Sequence, residues 1–251
     1  MSQAWLLGQR ALREGWRTPE ALVPTLFIPL FFLVVNVGQA AKIFPGKTTP
    51  FLHGQGYGAF QLPASLLLAA SFGTAALFLV EEIEGGYFDK LRAAPIPRTS
   101  IILGRLIAEG LKGIGIAAAI VALALVFGIS IASGVLGFIL LVLLSAGWAV
   151  VFAGYMQLIA LKTRSAAATN SAGLIFFPLL FLTPNFVPRD MLTHPMEIAA
   201  TINPVTYVME GLRSLVLVDL NWTDILQGFA VVAVAGVVML ALSVRLINRY
   251  D

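Results

Sequence analysis

Long apolar runs separated by short polar breaks dominate the chain. Six runs are long enough to matter: Ala21 to Val37, Phe60 to Val80, Leu111 to Ile131, Val135 to Leu161, Ala166 to Thr183, and Ile225 to Leu246. A helix rises 1.5 Å per residue, so roughly 20 apolar residues cross a hydrocarbon layer about 30 Å thick. The pattern predicts an all-α, polytopic membrane protein with six transmembrane helices. The first run is short and contains Pro24 and Pro29, which a membrane helix tolerates only with local adjustment or help from a neighbour. VGQAA at Val37 to Ala41 imitates a signal-peptidase site, but Arg10, Glu14 and Glu20 sit in a long charged lead before the apolar run, which reads as a retained span.

Three polar or broken stretches carry further pattern. In AWLLGQRALREGWRT, at 100° per residue, Trp5, Leu12 and Trp16 fall on one helical face and Arg10, Arg13 and Arg17 on the next. Such a helix suits the membrane surface, with tryptophans at headgroup depth and arginines on anionic lipid; a plain topology-setting leader is the alternative. The segment EEIEGGYFDKLRAAPIPR, Glu81 to Arg98, concentrates seven charged side chains and must face water, because each would cost roughly 2.5–3.5 kcal/mol at a bilayer centre. Pro95 and Pro97 stop any helix begun after Gly86, while Phe88, Leu91 and Tyr87 give it an apolar face and Asp89, Lys90 and Arg92 a charged one. It is either a short docking knob or a solvated loop. From Thr183 to Asn221 the chain is too interrupted by Pro184, Pro188, Pro195 and Pro204 to span and too apolar for an open loop. Short outer half-helices over Met196 to Ile202 and Val205 to Val218 are expected. Asp190, Glu197, Glu210 and Arg213 in this stretch read first as anchors at the outer headgroups.

Composition agrees with the runs: 59% of the 251 residues are hydrophobic and 12% charged, about half the charged share of a soluble domain. The basic residues are dispersed and the net charge is only +3, which argues against nucleic acid as a partner. With the N-terminus inside, Arg10, Arg13, Arg17, Lys90, Arg92, Arg98, Arg105, Lys112, Lys162, Arg164, Arg245 and Arg249 lie on the cytoplasmic side. Only Lys42, Lys47, Arg189 and Arg213 lie outside. That imbalance across short loops puts both termini in the cytoplasm.

Candidate chemistry is sparse. There is no cysteine, and His53 and His194 lack spaced ligand partners, so no metal site is expected. AKIFPGKT at Ala41 to Thr48 nearly matches a phosphate-binding loop, but Ala41 replaces its first glycine, Pro45 lacks an N–H, and the stretch follows a span on the outer side. Any ATP-driven work therefore needs a partner that hydrolyses the ATP. Glu109 and Lys112, at i and i+3 where the third span begins, read as an interfacial ion pair with a snorkelling lysine. Few charges enter the spans, which disfavours an ion-coupled carrier or channel, and no nucleophile with a base is visible for a membrane-embedded enzyme. Phe27, Phe31, Phe72, Phe176, Phe177 and Phe181 either line a path for hydrophobic cargo or pack against helices and lipid. Gly113, Gly115, Gly147 and Gly154 mark close helix approaches and are candidate surfaces for a second chain.

The stretch EEIEGGYFDKLRAAPIPRTSIILGR resembles the cytoplasmic signature of type 2 ABC transporter permeases, the drug-resistance and glycolipid or polysaccharide exporter group. Glu82, Glu84, Gly85, Leu91, Pro95, Gly104 and Arg105 match it; Gly86 and Tyr87 stand near the usual threonine, Asp89 replaces glutamate and Ala94 precedes Pro95. TPNFVPRDMLTHPMEIAATINPVTYVMEGLR is similar to the outer segment of the same group through Asn203, Pro204, Val205, Thr206, Tyr207 and Arg213. The resemblance implies a single permease domain over 1–251, with an interface helix in 1–20, a coupling loop in 81–105 and an outer re-entrant segment in 184–221. It further implies ATPase coupling through Glu82, Glu84, Gly85, Phe88, Asp89, Leu91, Arg92, Pro95 and Arg98, with Trp5, Arg10, Arg13, Trp16 and Arg17 on the interface helix. Its implied partners are a cytosolic ABC ATPase, which uses ATP and Mg2+, a second and most simply identical permease chain, and the lipid of a bacterial cytoplasmic membrane. No cofactor is expected on this chain itself, and the implied activity is export of a drug, lipid or other amphiphile.

Overall fold

The computed structural model describes residues 3–72 and 75–248, which are helical with turns and contain no strand. Gly73 and Thr74, inside the second expected span, and Arg249, one of the cytoplasmic charges, lie outside the described residues. Twelve α-helices follow in order: α1 (Gln3–Arg17), α2 (Pro19–Ala40), α3 (Tyr57–Ala70), α4 (Ala75–Glu84), α5 (Tyr87–Ala93), α6 (Arg98–Val126), α7 (Gly134–Thr163), α8 (Ala166–Gly173), α9 (Phe176–Phe181), α10 (His194–Ile202), α11 (Pro204–Leu217) and α12 (Trp222–Asn248).

Among the described residues, four helices are long and apolar enough to cross a membrane: α2 from Leu22, α6, α7 and α12. The second and fifth expected spans are not single helices. The second divides into α3 and α4. The fifth divides into α8 and α9 because Pro178 has no N–H to give to Leu174, and the joint tightens: Leu174 N bonds Ser171 O at 3.2 Å and Phe177 N bonds Leu174 O at 3.1 Å. The third expected span begins earlier than its apolar run, since α6 starts at Arg98 and carries Arg105, Glu109 and Lys112 within it.

α3 is buried from Tyr57 to Ala69 and forms the centre, wrapped by α2, α6, α7 and α11. α2 and α12 flank the bundle and expose apolar side chains such as Val23, Val34, Val234 and Val237, the arrangement expected of helices facing lipid. The glycines expected to meet a second chain are used within this one. Gly113 abuts Ala146 and Ala149, Gly147 abuts Val232, Gly154 abuts Met239, and Gly115 sits under the Trp16 ring. They join α6 to α7, α7 to α12, and α1 to α6, because close approach needs a residue without a side chain.

Candidate functional site

At one end of the bundle α1, α4, α5 and α6 meet around a carboxylate. α1 lies on α6 at a crossing of two glycines: a Cβ on Gly104 would come within 2.8 Å of Leu7 Cβ and 2.9 Å of the Ala4 carbonyl oxygen. The buried positions of α1 are Gly8 and Gly15, so its docking stripe is small residues, while Trp5 and Trp16 stay substantially exposed. Glu82, near the end of α4, takes Arg10 Nη2 on Oε1 at 3.0 Å and Arg105 Nη2 on Oε2. Arg105 and Glu82 are both buried, and the Arg10 guanidinium also lies 4.3 Å from the Tyr87 ring centroid. One carboxylate thus ties α1, α4 and α6 together directly beneath α5.

α5 begins where Gly86, at φ 70°, takes the left-handed turn that an L side chain resists, and it stops at Ala93 before the two prolines. Phe88 is buried, and Leu91 and Ile96 pack against the core. Glu84, Gly85, Tyr87, Asp89, Lys90 and Pro95 are exposed. Arg92 pairs with Asp89 at 3.3 Å, and Arg98 donates to the Ile247 carbonyl at 3.4 Å, tying the start of α6 to the end of α12. The apolar face of the knob therefore anchors it, and its outward surface is the charged one.

Beside α4 lies a cavity of about 600 Å³ between α2, α3, α7, α8 and α9. Phe72, Phe176, Phe177 and Met156 give it apolar walls; Thr25, Ser71, Asn170 and Ser171 supply hydroxyl and amide groups, and among the described residues Glu81 is its one carboxylate. Trp148 braces the wall, donating Nε1 to Ser71 Oγ at 3.0 Å and packing 6.4 Å from Phe176. Glu109 and Lys112 lie close by, joined at 2.6 Å, and both are buried between α1, α6 and the cavity-lining Thr25 and Phe72. They form an interior ion pair. The ion pair expected from the sequence forms, but Gly15 of α1 packs over the Lys112 stem and the lysine is buried, so it does not snorkel to an open surface.

At the other end, α10 and α11 follow the proline-rich turn. Asn203 caps α11 through Val205 N at 3.0 Å and donates Nδ2 to the Leu179 carbonyl at 2.6 Å, locking α11 onto α9. Pro204 occupies the first helical position, where a missing N–H costs nothing. Tyr207 donates its hydroxyl to Thr201 O at 2.8 Å, and Arg189 grips Glu210 with two bonds, 3.1 and 2.7 Å. Arg213 is buried, 3.7 Å above the Phe60 ring, and donates to the Pro184 carbonyl at 2.9 Å. Burial pulls its guanidinium down to about 10, still charged at neutral pH, and burial pushes the Glu210 carboxyl up against the pull of Arg189. Arg213 is thus an internal clamp on the 184–186 turn and not a headgroup anchor.

Residues 2–217 match the family model described as ABC-2 type transporter. The chain belongs to that family. Two curated relatives align along nearly the whole chain. The daunorubicin resistance ABC transporter permease protein DrrB1 of Streptomyces coeruleorubidus is 25% identical over 238 residues, 91% of this chain and 79% of the relative. The putative transport permease ycf38 of Porphyra purpurea is 26% identical over 246 residues, 88% of this chain and 80% of the relative. The chain is a type 2 ABC permease, a multi-pass integral membrane protein and a transport component of an ABC system.

In this ABC-2 permease the residues singled out from sequence divide by position. Glu82, Phe88, Leu91 and Arg98 hold the knob in place, whereas Glu84, Gly85, Asp89 and Pro95 form its open surface, with Arg92 half-buried between. Arg10 joins the Glu82 cluster, while Arg13 and Arg17 remain exposed on α1. Of the six phenylalanines, Phe72, Phe176 and Phe177 line the large cavity, Phe181 lines a neighbouring chamber, and Phe27 and Phe31 stack on the exposed face of α2. Sequence reasoning missed the small-residue face of α1, although Ala4, Gly8, Ala11 and Gly15 recur at helical spacing. It also missed Glu81 and Asn170, whose place in the cavity depends on which helices come together. The phosphate-loop imitation at 41–48 is a run of turns between α2 and α3 with no strand before it.

Proposed function

We propose that this permease is the membrane half of an ATP-driven exporter for hydrophobic or amphiphilic molecules. It has six spans, the second and fifth broken, and both termini are in the cytoplasm of a bacterial inner membrane. Two copies face each other around the pathway, and cytosolic ATPase subunits hydrolyse ATP with Mg2+ beneath them. The observation that carries this reading is the joint position of the cavity and the clamp: α4 lines the one with Glu81 and supplies Glu82 to the other. A push on α5 would move α4 through the short Gly85–Gly86 link and reshape the cavity wall. Aromatic walls with scattered hydroxyls suit an amphiphile better than a sugar chain, which would need many more hydrogen-bonding groups. The daunorubicin resistance for which the Streptomyces relative is named makes a planar aromatic drug the first cargo to try. The basic residues gathered at the clamp end support the orientation.

Glu84 at the end of α4 and Asp89 and Lys90 on the open surface of α5 are the ATPase contacts. The test is co-purification of the tagged permease with its ATPase from lipid nanodiscs. A Glu84→Lys, Asp89→Lys double variant should release the ATPase while eluting like wild type in gel filtration. Retention of the ATPase by that variant would remove α5 as the coupling element.

A further inference from the structure

Leu77, Phe78 and Glu81 stand at i, i+1 and i+4 on α4, so they share one face of that helix, and all three line the large cavity. Glu82, one residue on, turns about 100° away into the clamp with Arg10 and Arg105. The two adjacent carboxylates therefore differ in their surroundings. Glu82 is buried against two guanidiniums, whereas Glu81 is exposed, and among the described residues no ion pair or side-chain hydrogen bond engages its carboxylate. Among the described residues that line the cavity there is no Lys, Arg or His, so Glu81 is the one formal charge on a wall made chiefly of Phe72, Phe78, Phe176 and Phe177 with a few neutral polar groups.

A single negative charge beside aromatic rings favours one class of ligand. A cation is drawn to the carboxylate by Coulomb attraction and to the ring faces by their quadrupoles, while an anion is repelled and a neutral molecule gains from neither. We propose that Glu81 is a specificity-determining residue that selects cationic amphiphiles. The ammonium group sits at the Glu81 and Phe78 edge of the cavity, and the apolar body lies among Phe72, Phe176 and Phe177. A cavity of about 600 Å³ has room for a drug-sized molecule of this kind. Neighbouring residues then do separate work: Glu82 holds α4 in the clamp, Glu81 holds the cargo, and any movement of α4 moves both. The inference rests on the export reading above and narrows its cargo by charge.

The test uses two tritiated probes of one shape, 6-phenylhexyltrimethylammonium and its neutral carbon isostere 7,7-dimethyl-1-phenyloctane. Binding to the full-length permease in phosphatidylcholine nanodiscs, whose lipid has no net charge, is measured by scintillation proximity with empty nanodiscs subtracted. An open carboxylate and a neighbouring ring together are worth on the order of tenfold in affinity, so wild type should favour the ammonium by about that factor. Glu81→Gln should bring the two probes within about twofold by weakening the ammonium alone, and Glu81→Asp should keep the preference. Asn170→Lys, which puts a positive charge into the same cavity from α8, should also abolish the preference without touching α4, and serves if Glu81→Gln fails to elute as wild type. Equal binding of the two probes by wild type would make Glu81 a solvated surface charge and overturn the inference. An ammonium preference that survives Glu81→Gln or Asn170→Lys would overturn it too, because the cation would then be held elsewhere. ATP-driven export measured separately keeps the readings apart: export of both probes without preference for the ammonium sinks the role of Glu81 alone, and absence of any amphiphile export sinks the export reading.

Discussion

Removing Glu82 tests the clamp most severely. Its carboxylate meets two guanidiniums in different surroundings: the Arg105 side chain is 6% exposed, the Arg10 side chain 43%. Deleting one partner of a buried ion pair costs about 3–5 kcal/mol because the other charge stays desolvated. A largely exposed pair contributes only about 0–1 kcal/mol, and the stacking of Arg10 on Tyr87 adds about 0.5–1 kcal/mol. Glu82→Ala should therefore lose at least about 3 kcal/mol, and Arg10→Ala no more than about 2 kcal/mol. For a domain of this size each kcal/mol moves Tm by roughly 2–4 °C, so Glu82→Ala should melt about 6–12 °C or more below wild type and Arg10→Ala at most about 8 °C below. Nanodisc-embedded protein followed by intrinsic tryptophan fluorescence supplies the melting curves. Because Arg10 acts through Glu82, the Glu82→Ala, Arg10→Ala double variant should fall little below Glu82→Ala. If Arg10→Ala is as damaging as Glu82→Ala, or the two losses simply add, the shared-carboxylate clamp is wrong.

Other outcomes follow from the packing. Gly104→Val puts side-chain atoms where Leu7 Cβ and the Ala4 carbonyl already stand, so α1 should lift from α6 at a cost of about 1–3 kcal/mol, visible as faster proteolysis between α1 and α2; wild-type resistance would contradict the crossing. Asn203→Ala removes both the α11 cap and the bond to Leu179, together about 2–3 kcal/mol, and should lower Tm by roughly 4–12 °C, with no change meaning that α9 and α11 are held otherwise. In this cysteine-free chain, a single cysteine at Lys47 or Asp190 should react with an impermeant thiol reagent applied to intact cells, and one at Ser100 or Arg164 should not; the reverse pattern would invert the topology.

Apolar run length carried the helical class and the four continuous spans, because a membrane helix must satisfy its backbone internally over a fixed thickness. It overran at Phe60 to Val80, where α3 ends at Ala70 and α4 starts at Ala75, and at Ala166 to Thr183, where hydropathy stays high through Pro178 although the helix is broken there. The knob was legible as a short helix from Gly86 and the proline pair, but which of its faces looked outward was not: Phe88 and Leu91 could bury toward a partner or toward their own bundle. The charges of α6 misled for a related reason. Glu109 and Lys112 fall where a span enters lipid, and only the laying of α1 over them through Gly15 makes them interior. Arg213 likewise sits at an outer position in sequence yet is buried, since its acceptors come from the Pro184 turn and its ring partner from α3. Pairings between distant elements, such as Arg213 with Phe60 at a separation of 153 residues, leave no local pattern to read.

The central claim is that a partner ATPase drives cargo through the cavity beside α4. Inside-out vesicles containing the permease, with or without its ATPase, can be given ATP and Mg2+ and followed for accumulation of a fluorescent planar aromatic amphiphile. Ser171→Trp, which places an indole in the cavity, provides the matched control. Accumulation should require both the ATPase and ATP, and it should disappear in Ser171→Trp while the ATPase remains bound. Accumulation without the ATPase, or undiminished transport by Ser171→Trp, would contradict the account.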